Sequence, residues 1–223
     1  MKGTGGAADR FRDLIQRRLL PGLSVLGFHD RLPGSLVASE ADGVVWMLDL
    51  PVAPWSTPSK ICFTVAWGVH VPGLDEIVGD PPPETRTVDT CPISGRIGDC
   101  PERLDPRWFE LRTLPWPAAG VVATAVSNHV LGGIATDVLP KLNALATPAG
   151  VQRFLHLNLV AGRGTPTAEE LRTIRRIAAL SLLLGDRENA ARWLDHLETR
   201  SAATMAPDLV AERLAPLREL IAS

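Results

Sequence analysis

The sequence predicts an α+β fold: a mostly antiparallel sheet of about six strands covered by helices, with a helical C-terminal extension. Three observations carry this. Ile61, Phe63, Val65, Trp67, Val69 and Val71 occupy every second position of one stretch, the period that lines one face of a strand. Val122, Val126, Val130, Ile134 and Val138 recur at every fourth position, which draws an apolar stripe along a helix. Beyond Pro166 the apolar spacing is helical throughout.

The elements follow in order. Residues 1–7 are rich in Gly and read as a flexible tail. From Ala8 to Leu20, Phe11, Leu14, Ile15 and Leu19 recur at helical spacing. Pro21-Gly22 is expected to interrupt that helix, which Leu23 to Leu26 continue for a turn. A short strand is expected over Phe28 to Arg31, then a turn at Leu32-Pro-Gly-Ser35. Ser35 to Glu40 and Val44 to Leu50 flank Ala41-Asp-Gly43, an Asp-Gly hairpin signal. Pro51 to Pro58 reads as an exposed connection. With Ile61 to Val71 these segments make a four-stranded antiparallel meander.

Gly79-Asp-Pro-Pro-Pro83 is a rigid break. Strands over Cys91 to Gly98 and Trp108 to Thr113 then flank a loop with two prolines, Asp99 to Pro106. The valine-striped helix begins after Pro115-Trp-Pro117. Gly132-Gly133 inside it costs about 1 kcal/mol per glycine relative to Ala, which points to close packing against the sheet or to a local bend. Thr147 reads as an N-cap with Pro148 at the first helical position, opening a helix through Leu155. Ala161-Gly-Arg-Gly-Thr-Pro166 is the expected boundary between an α+β domain over 8–160 and the helical extension over 165–223. In the extension Leu171, Ile174, Ile177, Leu180 and Leu184 form one apolar face, and Gly185-Asp186 ends that helix. Ala190, Trp193, Leu194 and Leu197 form a second helix, and Leu209, Leu214, Leu217 and Leu220 a third. No array is expected, because a solenoid needs about three copies of its repeat.

Apolar residues are 45 % and charged residues 22 % of the chain, values ordinary for a chain that buries a core. A net charge of −2 offers no electrostatic footprint for nucleic acid or an anionic membrane. The start lacks a signal-like apolar stretch, and no apolar run reaches the roughly 18 residues of a membrane span. A cytoplasmic protein is the expectation, with no nucleic-acid or membrane partner and with free thiols. The Arg, Ala, Gly and Pro bias is that of a GC-rich bacterial genome.

Five segments in succession carry a resemblance: Leu26-Gly-Phe28, Ile61 to Val69, Cys91-Pro-Ile-Ser-Gly-Arg-Ile-Gly98, Trp108-Phe-Glu-Leu111 and Asp137-Val-Leu-Pro-Lys141. Over Leu14 to Leu155 the chain resembles an uncharacterised bacterial family, catalogued as domain of unknown function 4304. The resemblance implies an α+β fold with helices over a mostly antiparallel sheet. It implies no cofactor, substrate or catalytic residue, and it does not extend to the C-terminal helices.

Most enzyme signatures are missing: no phosphate-cradling loop ending in Lys-Ser/Thr, no nucleophile elbow, no His-Glu-x-x-His helix. No cofactor is expected, and no metal site. Cys91 and Cys100 lack knuckle spacing. Cys62 and His70 share a face of a regular strand about 26 Å apart at roughly 3.3 Å per residue, too far for one ion. Arg96 is the leading site candidate. Alternation puts it with Ser94 and Gly98, opposite Ile93 and Ile97, where a guanidinium can bind a carboxylate or phosphate bidentately. Asp99, Glu102 or Asp105 pairing with it is the structural alternative. Trp55 and Trp116, each among prolines in a connecting segment, are candidate binding platforms; Trp108 joins them. The leading expectation is a non-catalytic binding or protein-interaction module with a protein partner. The alternative is an enzyme with a site near Arg96, Asp99 and His129.

Overall fold

The first helix runs through the proline expected to stop it. The computed structural model describes residues 6–29, 35–78, 87–99, 107–115, 117–159, 166–202 and 207–222. In it α1 (Ala7–Leu14) passes through a π turn, Ile15–Leu19, into α2 (Leu20–Val25) without a break. The Leu20 N–H bonds to the Ile15 carbonyl, one residue further back than in an α-helix. A proline has no N–H and its ring crowds the carbonyl four residues earlier. A π turn placed just before it absorbs both effects. The same device recurs later. Helix α4 (Ala118–Gly133) enters a π turn, Ile134–Val138, and leaves as α5 (Leu139–Ala144), with Leu139 N–H bonded to the Ile134 carbonyl just before Pro140. Ile15-Gln-Arg-Arg-Leu-Leu-Pro21 and Ile134-Ala-Thr-Asp-Val-Leu-Pro140 share one spelling: Ile, three variable residues, an aliphatic, Leu, Pro.

The chain divides into two compact units. The first comprises Met1–Glu40, Val45–His70 and Thr85–Asn143; the second comprises Ala41–Val44, Val71–Glu84 and Ala144–Ser223.

In the first unit the fold is mixed, with antiparallel pairing as expected, but the strands form two sheets instead of one. Strands β1 (Val37–Ala41), β2 (Val44–Asp49), β4 (Ala66–His70) and β5 (Ile93–Arg96) make a four-stranded sheet in the order β1-β2-β4-β5. Strands β3 (Lys60–Phe63) and β6 (Phe109–Arg112) make a two-stranded one. The predicted strand Ile61 to Val71 is therefore split. At the break Thr64 is fully buried, its N–H donates to the Pro51 carbonyl and its hydroxyl to the Arg107 carbonyl. The Val65 carbonyl accepts from Ile97 N–H. These partners lie outside the ladders, so the chain changes sheet. Cys62, Gly68 and His70 are also buried, so both faces of this stretch are covered and its alternation marks no solvent side. Cys62 and His70 fall on different strands of different sheets, which replaces the single-strand spacing inferred for them.

The hairpin forms where expected: Asp42 has φ +31° and Gly43 φ +84°, the paired positive φ of a tight turn that matches strand twist. Phe28 and His29 lie outside any strand. In the four-stranded sheet Met47, Ala66, Val88 and Cys91 form a small core, with the Cys91 thiol 3.7 Å from Met47 Sδ. Gly68 admits this thiol, since a Cβ there would stand 2.8 Å from Cys91 Sγ.

Helices α1 and α4 pack on the two-stranded sheet, where Phe63 lies between Phe11 and Phe109. The buried side of α4 and its continuation is Ser127, Val130, Gly133, Ile134, Val138 and Leu142. Of the two glycines, Gly133 is the packed one: a Cβ on it would meet Ile97 Cδ1 at 2.5 Å, whereas Gly132 faces open space. The continuous helix Ala118–Ala144 is 27 residues long with a window of mean hydropathy 1.4, enough by length and composition to cross a membrane, and 22 % of that window is buried. The expectation that no unbroken apolar run is that long concerned strict runs; this window contains the polar Ser127, Asn128 and His129 and qualifies on mean hydropathy.

The second unit is helical. It contains α3 (Leu74–Val78), α6 (Pro148–Asn158), α7 (Ala168–Leu183), α8 (Arg187–Ser201) and α9 (Pro207–Ala222). Helix α7 is the hub, touching the other four, and its Ile174, Ile177, Ala178 and Leu180 are buried. The predicted caps hold: Thr147 Oγ1 accepts from Gly150 N–H at 3.1 Å, and Gly185 ends α7 with φ +76°. Asp186 caps α8 by accepting from Asn189 N–H. The last segment of the unit starts at Ala144, ahead of the expected boundary, and the unit also takes in Ala41–Val44 and, with Val71–Glu84, α3. The Ala161–Thr165 part of that boundary, the Gly79-to-Pro83 break, the 1–5 part of the tail and the expected Leu32 turn up to Gly34 lie outside the described residues.

Candidate functional site

Strand alternation positions Arg96 as expected. Ile93 and Ile97 are buried, while Ser94 and Arg96 are exposed. Arg96 and Asp99 line a recess of about 290 Å³ with Ala66, Val88, Asp89 and Ser94. The Asp99 carboxylate already accepts the Arg96 backbone N–H at 2.6 Å, which caps the turn after β5. His129 is exposed on α4 and does not line this recess. Glu102, Asp105 and Cys100 lie outside the described residues.

Three of the segments named above converge around that turn: Ile61 to Val69 through Trp67, Cys91 to Gly98, and Asp137 to Lys141. Gly98, at φ +83°, donates its N–H to Asp137 Oδ2 at 2.8 Å. Lys141 pairs with Asp137 at 2.8 Å and donates to the Asp99 carbonyl at 3.2 Å. Its ammonium stands 6.0 Å from the centre of the Trp67 ring, within cation–π range. Trp67 in turn lies across Gly95, where a Cβ would meet its ring at 2.8 Å. Burial raises the Asp137 pKa, but the Gly98 N–H, Lys141 and Arg107 outweigh it and hold the carboxyl below its ordinary value. These groups are engaged with one another, so the cluster is a latch holding the Arg-Ile-Gly turn to the helix.

Two of the candidate tryptophans meet. Trp55 and Trp108 are edge to face with ring centres 4.8 Å apart, and Trp55 is 56 % exposed. The loop that carries Trp55 is tied to β3: Ala53 N–H bonds to the Cys62 carbonyl, and Ser56 exchanges bonds with Cys62. An exposed indole is thereby held on a fixed base. Trp116 lies outside the described residues.

A larger depression, missed in the sequence, lies wholly within the helical unit. It is a groove of about 630 Å³ with α7 as its floor at Ile177 and α6 and α8 as its walls, a size usual for ligand sites. One wall presents Ala149, Gln152, Arg153 and His156; the other presents Asn189, Arg192, Trp193 and His196. Both sets follow the spacing i, i+3, i+4, i+7, one face of a helix. Trp193 stands edge to face against His156 at 5.1 Å and His196 at 5.7 Å. The fully buried Ser181 ties the walls together: its hydroxyl donates to the Ile177 carbonyl and accepts from Gln152 Nε2 at 2.6 Å and Asn189 Nδ2 at 3.1 Å.

Comparison of the chain with family models, with curated proteins and with solved structures returns no match.

The matched polar stripes were the available signal for the groove. Each reads alone as the solvated face of an amphipathic helix, and the two are separated by more than a helix of sequence. Only their packing on opposite sides of α7 makes them one site.

Proposed function

We propose that the protein is a non-catalytic binding module that engages a protein partner. The observation that carries this reading is the groove between α6 and α8. It combines a half-buried indole, two guanidinium groups and two fixed amides on α6 and α8, each packed on α7. Aromatic and arginine side chains on a rigid base are the residue types that dominate protein interfaces. The Trp55–Trp108 pair, pinned by backbone bonds, offers a second contact of the same kind. Kinship with the uncharacterised family belongs to the same proposal, supported by the convergence of three of its segments on the latch at Gly98.

The test is site-specific photo-crosslinking in the native host, with the photoreactive residue at Ala149 in the groove, at Trp55, or at the exposed Arg172 as control. A protein adduct from Ala149 that is absent from Arg172 is expected. Repeated experiments with no adduct above background from Ala149 or Trp55 would defeat the reading.

A further inference from the structure

We infer that the groove between α6 and α8 binds an acidic peptide segment of the partner, with the peptide's carboxylates on Arg153 and Arg192 and its backbone N–H groups on the amide oxygens of Gln152 and Asn189. The inference rests on the reading of the protein as an interaction module and names the ligand chemistry of that site.

The argument for the amides starts at Ser181. A hydroxyl has one hydrogen, and here it is committed to the Ile177 carbonyl at 3.0 Å. The Ser181 oxygen can then only accept. Both neighbouring amides must turn their NH₂ groups toward it, as they do. Their carbonyl oxygens therefore point away from Ser181, on side chains that line the groove. A ligand that meets both needs N–H donors, and a peptide backbone supplies them at regular spacing. A simple inorganic anion does not.

The argument for the carboxylates is one of charge. Arg153 and Arg192 stand on opposite walls, with the imidazoles of His156 and His196 beyond them, and none of the described residues lining the groove is acidic. Arg192 has an ion pair with Glu188 one turn earlier, but both side chains are more than 70 % exposed. Such a pair is worth about 0–1 kcal/mol and yields readily to a better-placed carboxylate. Arg153 is exposed at the mouth. Guanidinium groups prefer planar, bidentate acceptors, which a carboxylate offers. Trp193, between the imidazoles, supplies apolar surface for the peptide's side chains.

The experiment is selection of random eight-residue peptides on the full-length protein, followed by fluorescence anisotropy with the fluorescein-labelled winners. Enrichment of Asp and Glu is expected, with binding weakened at least tenfold by the double variant Arg153→Glu/Arg192→Glu and progressively by added salt. Arg153→Ala/Arg192→Ala, which introduces no repulsion, should weaken it less but clearly. Ser181→Ala, which frees both amides to rotate, should weaken binding while leaving the acidic preference. Circular dichroism establishes that each variant is folded. Enriched peptides without acidic bias, or acidic peptides indifferent to both arginine variants, overturn the ligand assignment while the module reading stands. No enriched peptide together with no adduct from the groove or from Trp55 overturns both. Selected peptides displaced by a nucleoside monophosphate at equal concentration would show a nucleotide site in place of a peptide one.

Discussion

Replacing Asp137 by alanine removes the acceptor for the Gly98 N–H and the partner of Lys141 at one stroke, both at 2.8 Å. A hydrogen bond to a charged group contributes about 1.5–3 kcal/mol net. The ion pair adds little, because its two side chains are 34 % and 33 % exposed, and pairs open to solvent contribute about 0–1 kcal/mol. The expected loss is about 2–3 kcal/mol. For a chain of this size that lowers the melting temperature by roughly 5–10 °C, at about 2–4 °C per kcal/mol. Asp137→Asn keeps a neutral acceptor for Gly98 and should lose about half as much, since neutral hydrogen bonds contribute about 1 kcal/mol. Trp67 lies beside Lys141 and is 5 % exposed, so indole fluorescence during urea unfolding is a suitable readout. The dependence on pH follows from the sign of the shift. The carboxyl is held below its ordinary value in the fold. Its contribution is complete above the unfolded-state pKa, near 3.9, and disappears as pH falls through the depressed folded value. The gap between parent and Asp137→Asn should close over that acid range and stay constant above it. An alanine variant within about 0.5 kcal/mol of the parent, the range of inconsequential surface changes, would refute the latch.

Three further outcomes follow from the packing. Gly132→Ala should raise stability by about 1 kcal/mol through helix propensity, because a Cβ there meets open space; Gly133→Ala should fall below it, since the new Cβ stands 2.5 Å from the buried Ile97. Urea midpoints of the two variants decide this. Gly95→Val forces a side chain into the Trp67 ring at 2.8 Å and should cost about 1–3 kcal/mol as overpacking does, with an altered near-ultraviolet dichroism band. Glu170→Ala removes the 7 % exposed carboxylate that pairs with Arg200 at 2.7 Å. Deleting one partner of a buried pair costs about 3–5 kcal/mol, reduced here toward the lower figure by the 19 % exposure of Arg200; thermal unfolding followed at 222 nm measures it.

The features legible from residues alone are local ones. The turn at Asp42-Gly43, the cap at Thr147, the stop at Gly185 and the inward Ile93 and Ile97 against the outward Arg96 each depend on a few neighbouring residues. Backbone φ, a single hydroxyl and the pleat of one strand decide them. Elsewhere distant atoms intervened. The unbroken alternation from Ile61 to Val71 gives no sign of a change of sheet, because Thr64 and Val65 are bonded to Pro51, Arg107 and Ile97. Pro21 reads as a stop until a π turn just before it lets the helix continue. Trp55 and Trp108 are separate hints until folding sets them edge to face. The groove is the clearest case: its walls are two polar stripes that, in sequence, are indistinguishable from faces open to water. Tertiary structure alone made them a site, by packing α6 and α8 on one helix and anchoring both to the single buried hydroxyl of Ser181.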